Sequence, residues 1–161
     1  MKIAFNMVSA THGGGFQTYN QNILNRLLTD KNHKSNEIFI FTNDKSYKTD
    51  NKQINLIYIS NFFSITLYRL FWMQFILPIY LIYFKVDTLF SPMNIMPIIV
   101  KLFKIKTILV VHSNLPWLFP NDMPGNKAKL FIQKFIMNYS INFADRIIVD
   151  SRTAKNELYN I

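Results

Sequence analysis

Three consecutive glycines, Gly13, Gly14 and Gly15, and one histidine far downstream, His112, are the residues whose types and positions best suit chemistry. The glycines interrupt "MKIAFNMVSATHGGGFQTYNQNILNRLL" and are three of the four in the chain. Lys2 to Val8 reads as a buried strand, and from Phe16 onward Tyr19, Ile23, Leu24, Leu27 and Leu28 recur at helical spacing. A glycine turn that feeds a helix leaves backbone N–H groups unpaired at the positive end of the helix dipole. Such a turn suits a phosphate or diphosphate. It is not a P-loop, because "GGGFQTY" has neither the lysine nor the spacer. A dinucleotide fingerprint needs a third glycine where Thr18 stands. The acid that would hold a ribose, Asp44, lies about thirty residues on rather than ~20. An NAD-type dinucleotide site is therefore the weaker alternative, and a tight turn without ligand is the structural one.

His112 is the only histidine that follows a core-strand pattern; His12 precedes the glycines and His33 sits in a polar loop. Its place at a strand's carboxyl end, before the irregular "SNLPWLFPNDMPG", assigns it to a site. The competing role is a hydrogen-bonded structural histidine. Metal binding is not expected, since the histidines are scattered, cysteine is absent and no paired carboxylates have ligand spacing. A G-x-S-x-G nucleophile elbow is also missing.

These residues need elements to position them. "NEIFIFTND", "INLIYIS", "VDTLFSP", "KIKTILVVHS" and "ADRIIVDS" read as five further strands. Helical stretches fall at Ser64–Phe84, Ile95–Phe103, Gly125–Asn142 and Ser151–Tyr159. Alternating strands and helices, with strands apolar on both faces, predict one α/β domain over 1–161. Its architecture is a doubly wound Rossmann-like parallel sheet with helices on both faces. Ligands of such sheets bind outside the carboxyl ends of the strands. The glycines, Asn94, His112 and Ser151 all follow strands and are expected to face one crevice.

"FFSITLYRLFWMQFILPIYLIYF" (Phe62–Phe84) approaches the length of a membrane span, yet Arg69, Gln74 and Pro78 interrupt it. The main expectation is a long helix on the sheet with Arg69 at an exposed end. The alternative is peripheral attachment, with Trp72, Tyr80 and Tyr83 near lipid headgroups. The balance of 18 Lys and Arg against 9 Asp and Glu, a net charge of +9, favours anionic partners. Nucleic acid is not among those expected, because the basic residues are not striped with aromatics. A secretory leader is not apparent in the opening residues.

Four segments together resemble a known family. "GGGFQTYNQNILNRL", "LFWMQFILPIYLIYFKVDTLFSPMNIMP", "KTILVVHSNLPWLFP" and "ADRIIVDSRTAKNEL" are similar, in order and spacing, to the N-terminal half of family 4 glycosyltransferases of the GT-B fold. The resemblance implies retaining, metal-independent transfer of a sugar from a nucleotide-sugar to a glycan or lipid-linked acceptor. The nucleotide-sugar is then a substrate, and no cofactor is expected. It implies that Gly13, Gly14 and Gly15 approach the donor diphosphate and that His112 positions the donor sugar as the catalytic residue. Asn94, Ser113 and Ser151 become acceptor-side candidates, although many members carry Asp where this chain has Ser113. The resemblance also implies a C-terminal nucleotide-sugar-binding domain that these residues do not include. The chain is accordingly expected to be inactive without that domain or a partner chain carrying it. The expected location is the cytoplasm, or the inner face of the cell membrane, in polysaccharide or cell-envelope biosynthesis. A non-catalytic acceptor- or membrane-binding module, or a truncated relic, is the other reading.

Overall fold

A computed structural model describes residues 1–8, 15–29, 36–112, 115–122 and 127–158. Six strands run β1 (Lys2–Asn6), β2 (Glu37–Thr42), β3 (Ile54–Tyr58), β4 (Thr88–Ser91), β5 (Lys106–Val111) and β6 (Arg146–Val149). They form one sheet in the order β3-β2-β1-β4-β5-β6, and every neighbouring pair is parallel. Helices α1 (Gly15–Thr29), α2 (Thr66–Phe71), α3 (Leu77–Tyr83), α4 (Leu115–Leu118), α5 (Lys127–Phe143) and α6 (Arg152–Leu158) accompany it. The protein is a doubly wound, Rossmann-like α/β fold.

Alternation along the strands sorts side chains to two faces. Phe5, Ile38, Ile40, Phe90 and Val110 point to one face and pack with Leu24, Ile23 and Leu27 of α1. Ala4, Phe39, Phe41 and Leu89 point to the other and meet Trp72, Met73, Leu77 and Leu81. Beyond them Leu109 and Val111 pack with Met96, Tyr139 and Ile141. Both faces of the central strands are covered, which is why those strands read as continuous apolar runs.

The long aromatic segment is helical, as its composition predicts, but not regular. A π segment, Trp72–Ile76, joins α2 to α3, and the Leu77 N–H reaches back to the Trp72 carbonyl. Pro78 follows at once. It has no N–H to donate, so widening the preceding turn absorbs the break that a regular helix would suffer. Two expectations for this segment are corrected. Arg69 does not lie at an exposed end. It is half-buried, donates to the Ser64 carbonyl at 3.1 Å, and has its pKa lowered by burial. Trp72 is 1% exposed and cannot sit among headgroups; its indole N–H donates to Asn6 Oδ1 at 3.2 Å.

The expected helix over Ile95–Phe103 shortens to a 3-10 turn, Ile98–Phe103, because Pro97 stands extended before it. Helix α4 occupies part of the stretch read as irregular. Among the described residues no helix is long and apolar enough to cross a membrane.

Candidate functional site at the carboxyl edge of the sheet

Strand order reverses at β1, which pairs with β2 on one side and β4 on the other. The carboxyl ends of β1, β4, β5 and β6 share the edge where doubly wound folds bind ligands. His112 directly follows β5 and holds this edge together. Its backbone N–H donates to Asn94 Oδ1 at 2.7 Å. Its ring Nδ1 lies 2.7 Å from Asp150 Oδ2, and Nε2 lies 3.1 Å from the Pro92 carbonyl oxygen. Tyr19 of α1 meets the ring edge-on, with centroids 4.7 Å apart. One imidazole thus touches the ends of β4, β5 and β6 and the second turn of α1.

Both oxygens facing the ring are acceptors. A neutral imidazole carries one N–H and satisfies one of them, whereas the cationic ring satisfies both. The pair is only partly shielded, with the His112 side chain 16% exposed and Asp150 44% exposed. Burial, and next the charge of Asp150, raise the pKa of Tyr19 above its ordinary value. The tyrosine therefore remains a neutral hydroxyl at ordinary pH.

The other sequence candidates fall around this centre. Asn94 is left-handed, with φ 60°, and its backbone N–H donates to Val110 O at 3.1 Å. With its side chain on the His112 N–H, Asn94 continues the β4–β5 pairing beyond Ser91. Ser151 is exposed and accepts the Ala154 N–H at 3.0 Å, which makes it the N-cap of α6. Gly15 opens α1, whose first turn carries no acidic side chain. Gly13, Gly14 and Ser113 lie outside the described residues, as do His12 and His33.

Two further residues bear on the edge. Asp150 orients His112 and was not singled out from sequence, although an acid at the end of the last strand was the available signal. Asn20, on α1 one turn before buried Leu24, is 4% exposed, and neither end of its amide has a hydrogen-bond partner. A buried amide left unpaired carries a desolvation penalty of roughly 1–3 kcal/mol.

Asp44, the ribose candidate of the dinucleotide reading, does lie past the end of β2. Its Oδ1 accepts the Ser46 N–H at 2.8 Å, so it builds its own turn. Among the described residues no three His, Asp or Glu side chains are grouped as metal ligands.

Together the fold and this edge define a Rossmann-like domain with a polar, histidine-centred cluster at the carboxyl ends of its strands. No protein-family model matches the chain, and no curated protein matches it.

Proposed function

We propose that this chain is the acceptor-side half of a retaining glycosyltransferase that moves a sugar from a nucleotide-sugar to a glycan or lipid-linked acceptor. One observation carries the reading. The N-terminal turns of α1, entered from a glycine run, stand against His112 at the switch point of the sheet, through the Tyr19 contact. A donor whose diphosphate met the first amides of α1 would bring its sugar towards the imidazole.

The chemistry follows from that juxtaposition. Negative charge develops on the departing diphosphate, and fixed N–H groups at a helix start stabilise it without reorganising. His112, with both ring nitrogens engaged by Asp150 and Pro92, would act on the donor sugar through its fixed position at the edge rather than through a free N–H. Ring and carboxylate act together as a positioning pair, and no metal step is required of them. Asn94 supports the ring's backbone rather than the acceptor. A nucleotide-binding domain, in the same or a partner chain, would complete the cleft, exclude water and align both substrates.

The test uses extracts of cells that make the chain and of cells that lack it, each supplied with radiolabelled nucleotide-sugars. Sugar incorporation into glycan or lipid should depend on the chain and fall sharply with Gly14→Val, while folded protein persists. Failure of every donor to give chain-dependent incorporation refutes the reading.

A further inference from the structure

The side of the aromatic segment that faces away from the sheet has no partner among the described residues. Leu67, Phe71, Phe75, Ile79 and Tyr83 recur every fourth residue, and each is at least half exposed, Tyr83 reaching 77%. In a regular α-helix a four-residue repeat drifts round the axis. The wider π turn drifts the opposite way and keeps this stripe closer to one line. Beside it a groove of about 850 Å³, lined almost wholly by apolar atoms, runs between Phe62, Leu67, Phe71, Phe75, Ile99 and Ile136. Leu102 on the 3-10 turn and Phe131 on α5, 79% and 71% exposed, add to the apolar surface of the neighbouring elements. A surface of this kind exceeds the scattered apolar exposure of an ordinary soluble face.

Charge selects the occupant. Between residues 51 and 145 there are nine Lys and Arg against three acids, Asp87, Asp122 and Asp145, the last paired with Lys101. Residues 61–84, 98–103 and 127–143 contain no acid at all. A second copy docked on the same face would bring like charges together. An anionic bilayer matches both properties, accepting aromatic and aliphatic side chains below its headgroups and attracting lysines at its surface. Tyr68 and Tyr83 pair an apolar ring with a hydroxyl suited to that boundary.

From these features we infer that the outer face of α2, the π segment and α3, with the adjoining 3-10 turn and α5, docks the protein onto an anionic membrane surface. The segment lies on the bilayer and does not cross it. The inference stands independently of sugar transfer.

The test is co-sedimentation of the full chain with vesicles of neutral phosphatidylcholine and with vesicles enriched in phosphatidylglycerol. Binding is expected to the anionic vesicles and to weaken as salt rises. Lys127→Glu with Lys134→Glu should lower it by about fivefold or more per lysine. Leu67→Glu with Phe75→Glu, both at exposed positions, should abolish it with unchanged circular dichroism. If that pair does not fold, Tyr83→Glu makes the same test. Absence of binding to the anionic vesicles overturns the inference, as does equal binding to both. Self-association in sedimentation velocity that disappears in Leu67→Glu/Phe75→Glu would assign the face to a second copy instead.

Discussion

Replacing His112 with alanine removes more than a surface imidazole. The ring bonds at 2.7 Å to Asp150 and at 3.1 Å to Pro92 O, and it packs against Tyr19. A charge-assisted hydrogen bond is worth about 1.5–3 kcal/mol when shielded, but the half-open Asp150 carboxylate reduces that to about 1. The Pro92 bond adds about 1 kcal/mol, and the edge-on aromatic contact contributes about 0.5–1. His112→Ala should therefore cost about 2–3 kcal/mol. For a domain of this size, that lowers the melting temperature by roughly 5–10 °C. Asp150→Ala removes one of these contacts and should cost about 1 kcal/mol. The double variant should be less destabilised than the sum, with about 1 kcal/mol of coupling, because each single change already breaks the shared bond. Urea denaturation of the four proteins measures these quantities. Additive losses, or a His112→Ala protein as stable as the parent, would refute the view that the ring ties three strand ends and α1 together.

Other outcomes follow from neighbouring contacts. Asn94→Ala should destabilise by about 1–2 kcal/mol more than the lost side-chain bond alone, since alanine resists a left-handed backbone. Asn94→Gly should recover most of that increment in the same denaturation assay. Asp145 has its carboxyl pKa lowered, chiefly by the hydrogen bond from Lys101 and further by bonds from Thr107 and the Lys101 charge, against an opposing effect of burial. A depressed folded-state pKa gives stability that is present above the unfolded value, near 3.9, and lost as pH falls through the folded value. Asp145→Asn should therefore flatten the loss of stability below about pH 4. Tyr19 has the opposite sign. Its raised pKa withdraws stability as pH climbs past the ordinary value of 10.0, and Asp150→Asn should soften that alkaline limb.

Much of this architecture is legible in the sequence for identifiable reasons. Strands such as "EIFIFT" and "KTILVV" are apolar on both faces, and that pattern suits only a covered parallel sheet. The convergence of Asn94, His112 and the residues after β6 followed from placing each at a strand's carboxyl end. Other features left little trace. The π segment depends on how Pro78 is accommodated, which the sequence leaves open between kink, break and bulge. Arg69 looked exposed because its charge was read without the Ser64 carbonyl that receives it. Helix α4 is four residues long and contains Pro116, so its composition reads as loop. Asp150 was overlooked because its value lies in a contact with a residue 38 positions earlier. Asn94 and Ser151 seemed available to a substrate, whereas their side-chain oxygens accept backbone N–H groups of the fold itself.

We propose that the carboxyl edge around His112 receives the substrates of sugar transfer. The most direct test is to titrate isotope-labelled protein with nucleotide-sugars and with lipid-linked glycans while following the His112 imidazole and the Asn94 and Tyr19 amides by NMR. Saturable shifts at these three residues with a sugar donor or acceptor, absent with NAD, are the predicted result. Shifts confined to other surfaces, or produced at this edge by NAD alone, would contradict the account.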